Sequence, residues 1–142
     1  TLALAYLLAT LGILTGGTLV DRSRRKSSIA IFALIGVALA TLGIAVIPSP
    51  QGAVLFMIMA VTINEFVYPA VWSMLQLLLP DNLMAAGSGI MSGTSNLLSA
   101  VSPFLIGWLI QFSGSYVLGL LFLVSVSRLG AFSCILLYRQ GY

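Results

Sequence analysis

The chain has 142 residues, 60% of them hydrophobic and only 6% charged, with a formal net charge of +3 and no histidine. Soluble domains carry roughly 25% charged residues because a water-facing surface needs them, so a chain with a mean hydropathy of +1.14 belongs in lipid. A single cysteine, Cys134, and the absence of histidine exclude disulfide frameworks, zinc sites and Ser-His or Cys-His catalysis.

A bilayer core of about 30 Å needs roughly 20 apolar residues in a helix. Runs of that kind lie at about 1–19, 28–47, 52–79, 84–111 and 116–138, predicting an all-α, polytopic bundle of five transmembrane spans. Punctuation marks their ends. Asp21 to Ser28 is a charged, Ser-rich loop, and Pro48-Ser49-Pro50-Gln51-Gly52 is a turn. Pro80-Asp81-Asn82 closes the third span and offers an N-cap to the fourth, and Ser113-Gly114-Ser115 separates the fourth from the fifth. Connectors this short predict antiparallel neighbours in one bundle. The chain opens at Thr1 inside an apolar run, which leads to the expectation that an earlier part is missing.

Arg22, Arg24, Arg25 and Lys26 occupy the first loop and Arg139 follows the last span, while the second and fourth loops hold no Lys or Arg. The positive-inside rule then puts the first loop, the third loop and the C-terminus in the cytoplasm of a cell-membrane protein. A basic cluster placed after the first apolar run, with no charged start before it, excludes a signal peptide. The basic residues form no broad solvated face, so nucleic acid is not an expected partner.

Gly17-Thr18-Leu19-Val20-Asp21-Arg22-Ser23-Arg24-Arg25-Lys26 resembles the signature cytoplasmic loop of the major facilitator superfamily, G-x-L-x-D-R-x-G-R-R. Arg24 stands where that family usually has Gly. Gly17 is expected to permit close helix approach. Asp21 is expected to pair with a nearby Arg or face a helix N-terminus, so that Gly17, Asp21, Arg22 and Arg25 form a gate contact; the plain alternative is a loop that only fixes orientation. Pro69-Ala70-Val71-Trp72, Leu79-Pro80, Ala86-Gly87-Ser88-Gly89-Ile90, Asn96-Leu97, Pro103, Gly107-Trp108 and Gly114-Ser115-Tyr116 resemble the tenth to twelfth helices of the anion:cation symporter branch. The resemblance implies that the chain is helices eight to twelve, most of the C-terminal half of a transporter whose N-terminal half is a missing partner. It further implies transport of a small organic anion in symport with protons, by rocking of two halves about a midplane site.

Two charges fall within the spans, Glu65 in the third and Arg128 in the fifth, and each needs a reason because charge at mid-bilayer costs about 2.5–3.5 kcal/mol on insertion scales. Thr62, Glu65, Tyr68, Trp72 and Gln76 recur at helical spacing with Asn64 beside them, a polar-aromatic stripe whose family counterpart faces the central cavity. A carboxyl removed from water can carry a proton near neutral pH, so Glu65 is the candidate for proton coupling or solute binding, against the alternative of a structural carboxyl neutralised by a partner. Arg128, about 15 Å from the cytoplasmic end of its span, either pairs with Glu65, reaches toward a headgroup, or grips a carboxylate solute.

The fourth span carries Ser88, Ser92, Ser95, Ser99 and Ser102 beside Gly89, Gly93, Ala100 and Gly107. That surface is expected to pack and slide against the other half, with Asn96 as a further candidate ligand and Pro103 as a kink. Gly12 and Gly16 form a similar small surface in the first span. Trp108, Tyr116 and Tyr138 are expected at the interfaces, Trp72 at an interface or in the cavity, and Cys134 as an apolar filler. With no nucleophile–base set or phosphate loop, neither an enzyme nor a cofactor is expected. The rival readings are a proton-driven exporter of apolar or cationic compounds and a non-transporting membrane sensor or packing module. In the latter, Glu65 and Arg128 would satisfy each other and line no opening.

Overall fold

A backbone in lipid must satisfy its own N–H and C=O groups, and an uninterrupted apolar run does so as a helix. The computed structural model describes residues 2–139, with side chains from residue 6 onward, so Thr1 of the first expected span lies outside the described residues. Six helices follow in chain order: α1 (Leu2–Arg22), α2 (Lys26–Val46), α3 (Pro50–Asn64), α4 (Val67–Leu78), α5 (Asp81–Ser113) and α6 (Tyr116–Arg139). Taken as one, α3 and α4 cover Pro50–Leu78; with α2, α5 and α6 they make four helices long and apolar enough to cross a membrane. There is no strand among the described residues. This is the architecture of a helical membrane protein.

The ends fall where the local chemistry puts them. Ile47 N–H closes α2 on the Gly43 carbonyl at 3.1 Å. Ser49 Oγ accepts from Gly52 N–H at 3.2 Å and caps α3, with Pro50 just inside. Gly114 ends α5 at φ 67°, the left-handed conformation that favours glycine, and its N–H bonds the Ile110 carbonyl at 2.8 Å. At the other end of α5 the expected N-cap role of Pro80-Asp81-Asn82 is corrected. Pro80 occupies the cap with no side-chain bond, and Asp81 is the first helical residue, where its charge complements the helix dipole.

α2 is the central helix. It packs on α6, α3 and α4 through small residues: Ala30, Ala33, Ala38, Ala40, Ser27 and Thr41 are buried. Small side chains let backbones approach, which is how helices associate where lipid removes the hydrophobic driving force. Near the basic end, Val20, Ala30, Ala70, Met74 and Cys134 form a buried cluster drawn from α1, α2, α4 and α6. α5 rests on α6 and touches α4, and none of its residues is buried. Its Ile90, Leu97, Phe104 and Phe112 are exposed.

One expectation about backbone shape is corrected. The third span is interrupted: α3 stops at Asn64, Glu65 and Phe66 form a turn, and α4 begins at Val67. Pro69 explains it, because it has no N–H to offer the carbonyl four residues earlier, that of Glu65, and its ring crowds that carbonyl. The chain tightens instead, with Phe66 N–H bonding Ile63 O at 3.1 Å. Pro103 lies inside α5, whose helical assignment continues across it. The close helix approach also occurs elsewhere than at Gly17, around which a Cβ would meet nothing within 4 Å. It is Gly12 and Gly16 that seat α1 on the interrupted span. A Cβ at Gly12 would stand 2.9 Å from the Thr62 carbonyl oxygen, and one at Gly16 would stand 3.3 Å from Phe66 Cα.

Candidate functional site

The turn at Glu65 and Phe66 divides what surrounds it into two sides. On one, a cavity of about 370 Å³ opens between α4 and α5. Asn64, Val67, Tyr68, Val71 and Trp72 form one wall, spaced as a single helical face. Met91, Ser92, Ser95, Asn96 and Ser99 of α5 form the other. Asn96 sits near the middle of the 33-residue α5, so the cavity lies well away from the ends of α5 and beside the turn that joins α3 to α4. Four of the candidate residues, Asn64, Tyr68, Trp72 and Asn96, are thereby brought together.

On the other side lies α1. Glu65 Cβ is 3.4 Å from the position of a Cβ at Gly12, so Glu65 is packed toward α1 and is absent from the cavity wall. One turn earlier, the Thr62 hydroxyl is buried with no hydrogen-bond partner. The expected stripe is thus split: Thr62 and Glu65 belong to the α1 contact, Tyr68 and Trp72 to the cavity. Gln76, one turn beyond Trp72, is exposed and past the cavity end.

Arg128 is placed apart from both. It lies in a small groove of about 140 Å³ with Leu34, Ile35, Ala38, Leu39 and Leu42 of α2. The expected Glu65–Arg128 pair does not form, because α6 packs on α2 and α5 and makes no close approach to α3 or α4. Arg128 is exposed and has no ion-pair partner among the described residues.

At the basic end, Asp21, Arg22 and Arg25 are exposed. The expected Asp21–Arg ion pair is absent among the described residues. Two other contacts fix the loop: the Arg25 guanidinium lies 4.7 Å above the Tyr138 ring, and Lys26 Nζ donates to Ser73 Oγ. They bring the α1–α2 loop, the second half of α4 and the end of α6 to one end of the bundle. Tyr138, expected as an interface anchor, is the platform for Arg25. Trp108 stacks on Phe112 with ring centroids 5.7 Å apart.

The serines of α5 are the residues whose place was not foreseen. Beside the packing surface expected of them toward the other half, Ser92, Ser95 and Ser99 line the cavity shared with α4. The signal was their spacing with Asn96, which puts one amide and three hydroxyls on one face of α5. No family model matches the chain, and neither a curated protein nor a solved structure matches it. Function is therefore argued from the chain's own residues.

Proposed function

We propose that this chain is part of a secondary active transporter of the major facilitator type, contributing five spans that correspond to helices eight to twelve, with α1 as the first. The observation that carries the proposal is the cavity between α4 and α5. Amide, hydroxyl, phenol and indole groups converge on it in helices that otherwise show apolar side chains outward. Polar groups at such depth are costly and mark solute or ion pathways.

In this proposal Asn64, Tyr68, Trp72 and Asn96 contact a small solute, and Glu65 carries the coupling ion, a proton. Consecutive residues at one helix turn would then serve the two sites, so a shift of α1 at Gly12 reaches both. The resemblance implies an organic anion, but the cavity wall offers no charged side chain to meet one; in the proposal the loop and the C-terminus are cytoplasmic and the Gly17–Arg25 segment forms the gate. The position of Glu65 off the cavity wall speaks against an exporter that offers this carboxylate to a cationic solute. The unpaired Glu65 and Arg128 speak against a packing module in which they neutralise each other.

The test is reconstitution of the complete protein into vesicles with an imposed proton gradient and a panel of labelled small solutes. Gradient-driven accumulation that is lost in Trp72→Ala and Asn96→Ala is expected. No accumulation of any solute, with correctly folded protein, contradicts the proposal.

A further inference from the structure

We infer that the solute face held between α4 and α5 is uncharged and rich in hydroxyl groups, as in a neutral polyhydroxylated ring compound. This rests on the transport reading for the site and names its substrate class. The hydrogen-bonding state of the serines carries it. In α6, Ser125, Ser127 and Ser133 each donate to the carbonyl one turn back, at 2.8, 3.0 and 3.0 Å, and so use up their own donors. Around the cavity, the side chains of Asn64, Asn96, Ser92, Ser95 and Ser99 make no intramolecular hydrogen bond among the described residues. Each amide offers two donors and an acceptor, and each hydroxyl offers one donor and two acceptors. A mixed set of unspent donors and acceptors matches alternating hydroxyl groups, which both give and receive.

Charge recognition is missing from this wall. No Asp, Glu, Lys or Arg lines the cavity. Glu65 turns to Gly12, and Arg128 is in the α2–α6 groove. A carboxylate placed here would give up its hydration without a counter-charge, whereas a hydroxyl would exchange water for the amides and serines. The Tyr68 and Trp72 rings, with Val67 and Val71, supply a flat apolar surface for the C–H face of a ring. The volume of about 370 Å³ suits a single small ring.

The two tryptophans, Trp72 and Trp108, make a direct binding assay possible. In the complete protein with Trp108→Phe and any tryptophan outside these residues also replaced by phenylalanine, Trp72 is the sole tryptophan and sits in the wall. Its emission is followed while glucose, inositol and a methyl glucoside are titrated against glucuronate, which keeps the ring and adds a carboxylate. Saturable change with a neutral compound is expected, at roughly tenfold lower concentration than with glucuronate. Ser95→Ala, an exposed position that does not threaten the fold, is expected to weaken binding of the neutral compound while leaving the helix content unchanged, and Asn96→Leu to weaken it further. Glucuronate binding as tightly as glucose overturns the inference, as does the absence of saturable change with every neutral compound. Neutral binding without gradient-driven uptake leaves this inference standing and removes the transport reading. Gradient-driven uptake confined to carboxylates does the reverse.

Discussion

Asn64 and Glu65 are consecutive in the chain and face opposite neighbours: Asn64 lines the cavity opposite α5, and Glu65 packs against Gly12 of α1. The turn between α3 and α4 is what holds a neutral hydrogen-bonding group and a carboxyl back to back. If solute and ion act at these residues, the turn and the α1 contact are the parts that must link them.

The α1 contact is expected to tolerate no side chain. A Cβ at Gly12 would meet the Thr62 carbonyl oxygen at 2.9 Å, a backbone atom that cannot swing aside. Gly12→Ala is expected to destabilise the protein by about 1–3 kcal/mol, the usual cost of overpacking. Gly17→Ala, with nothing within 4 Å, is expected to stay within about 0.5 kcal/mol. Thermal unfolding of the two variants in one detergent checks the contrast; equal effects would mean that α1 does not sit as described.

Pro69 is expected to maintain the turn. Pro69→Ala restores an N–H that can bond the Glu65 carbonyl and complete one continuous helix. Hydrogen exchange at Phe66 and Val67 is expected to slow and gradient-driven uptake to fall. Unchanged exchange would show that packing by Gly16 on Phe66, not proline, imposes the interruption.

Glu65→Gln keeps the shape and the hydrogen-bonding capacity but cannot release a proton. The expected outcome is loss of uptake driven by a proton gradient, with solute exchange between preloaded vesicles retained. Uptake equal to that of the parent protein at every pH removes Glu65 from coupling.

Arg25 and Tyr138 tie the loop to α6. A cation over an exposed ring contributes about 0.5–1 kcal/mol, so Arg25→Ala and Tyr138→Leu are each expected to cost that much and Tyr138→Phe almost nothing. A double-mutant cycle on thermal stability measures the coupling. Additive losses would show that the contact contributes nothing.

The span boundaries were legible because proline, glycine and serine mark them chemically: Pro50, Pro80 and Gly114 lie within a residue or two of observed helix ends. Much of the cavity was legible too, since Asn64, Tyr68 and Trp72 repeat every four residues. What composition could not reveal was which helix each face meets. Glu65 and Tyr68 share a stripe on a regular helix, and only the seating of Gly12 and Gly16 on the turn assigns them to different neighbours. Arg128 was read by depth alone, and depth does not say that α6 packs on α2. Both Pro69 and Pro103 lack the same N–H, yet only at Pro69 is the helix interrupted; at that half-buried turn Phe66 packs on Gly16, whereas Pro103 is exposed on α5.

The central claim is that the chain crosses the bilayer five times with its arginine-bearing loop in the cytoplasm. Cys134 is the one cysteine of these residues, so Cys134→Ser, with any cysteine outside them also replaced by serine, gives a silent background for single variants Ser23→Cys, Gln51→Cys, Asn82→Cys and Ser115→Cys, one for each connection between spans. Labelling intact cells with a membrane-impermeant thiol reagent is the deciding measurement. The account predicts that positions 51 and 115 react from outside, and that 23 and 82 react only after the membrane is opened. Reaction of position 23 from outside, or of 23 and 51 from the same side, would contradict it.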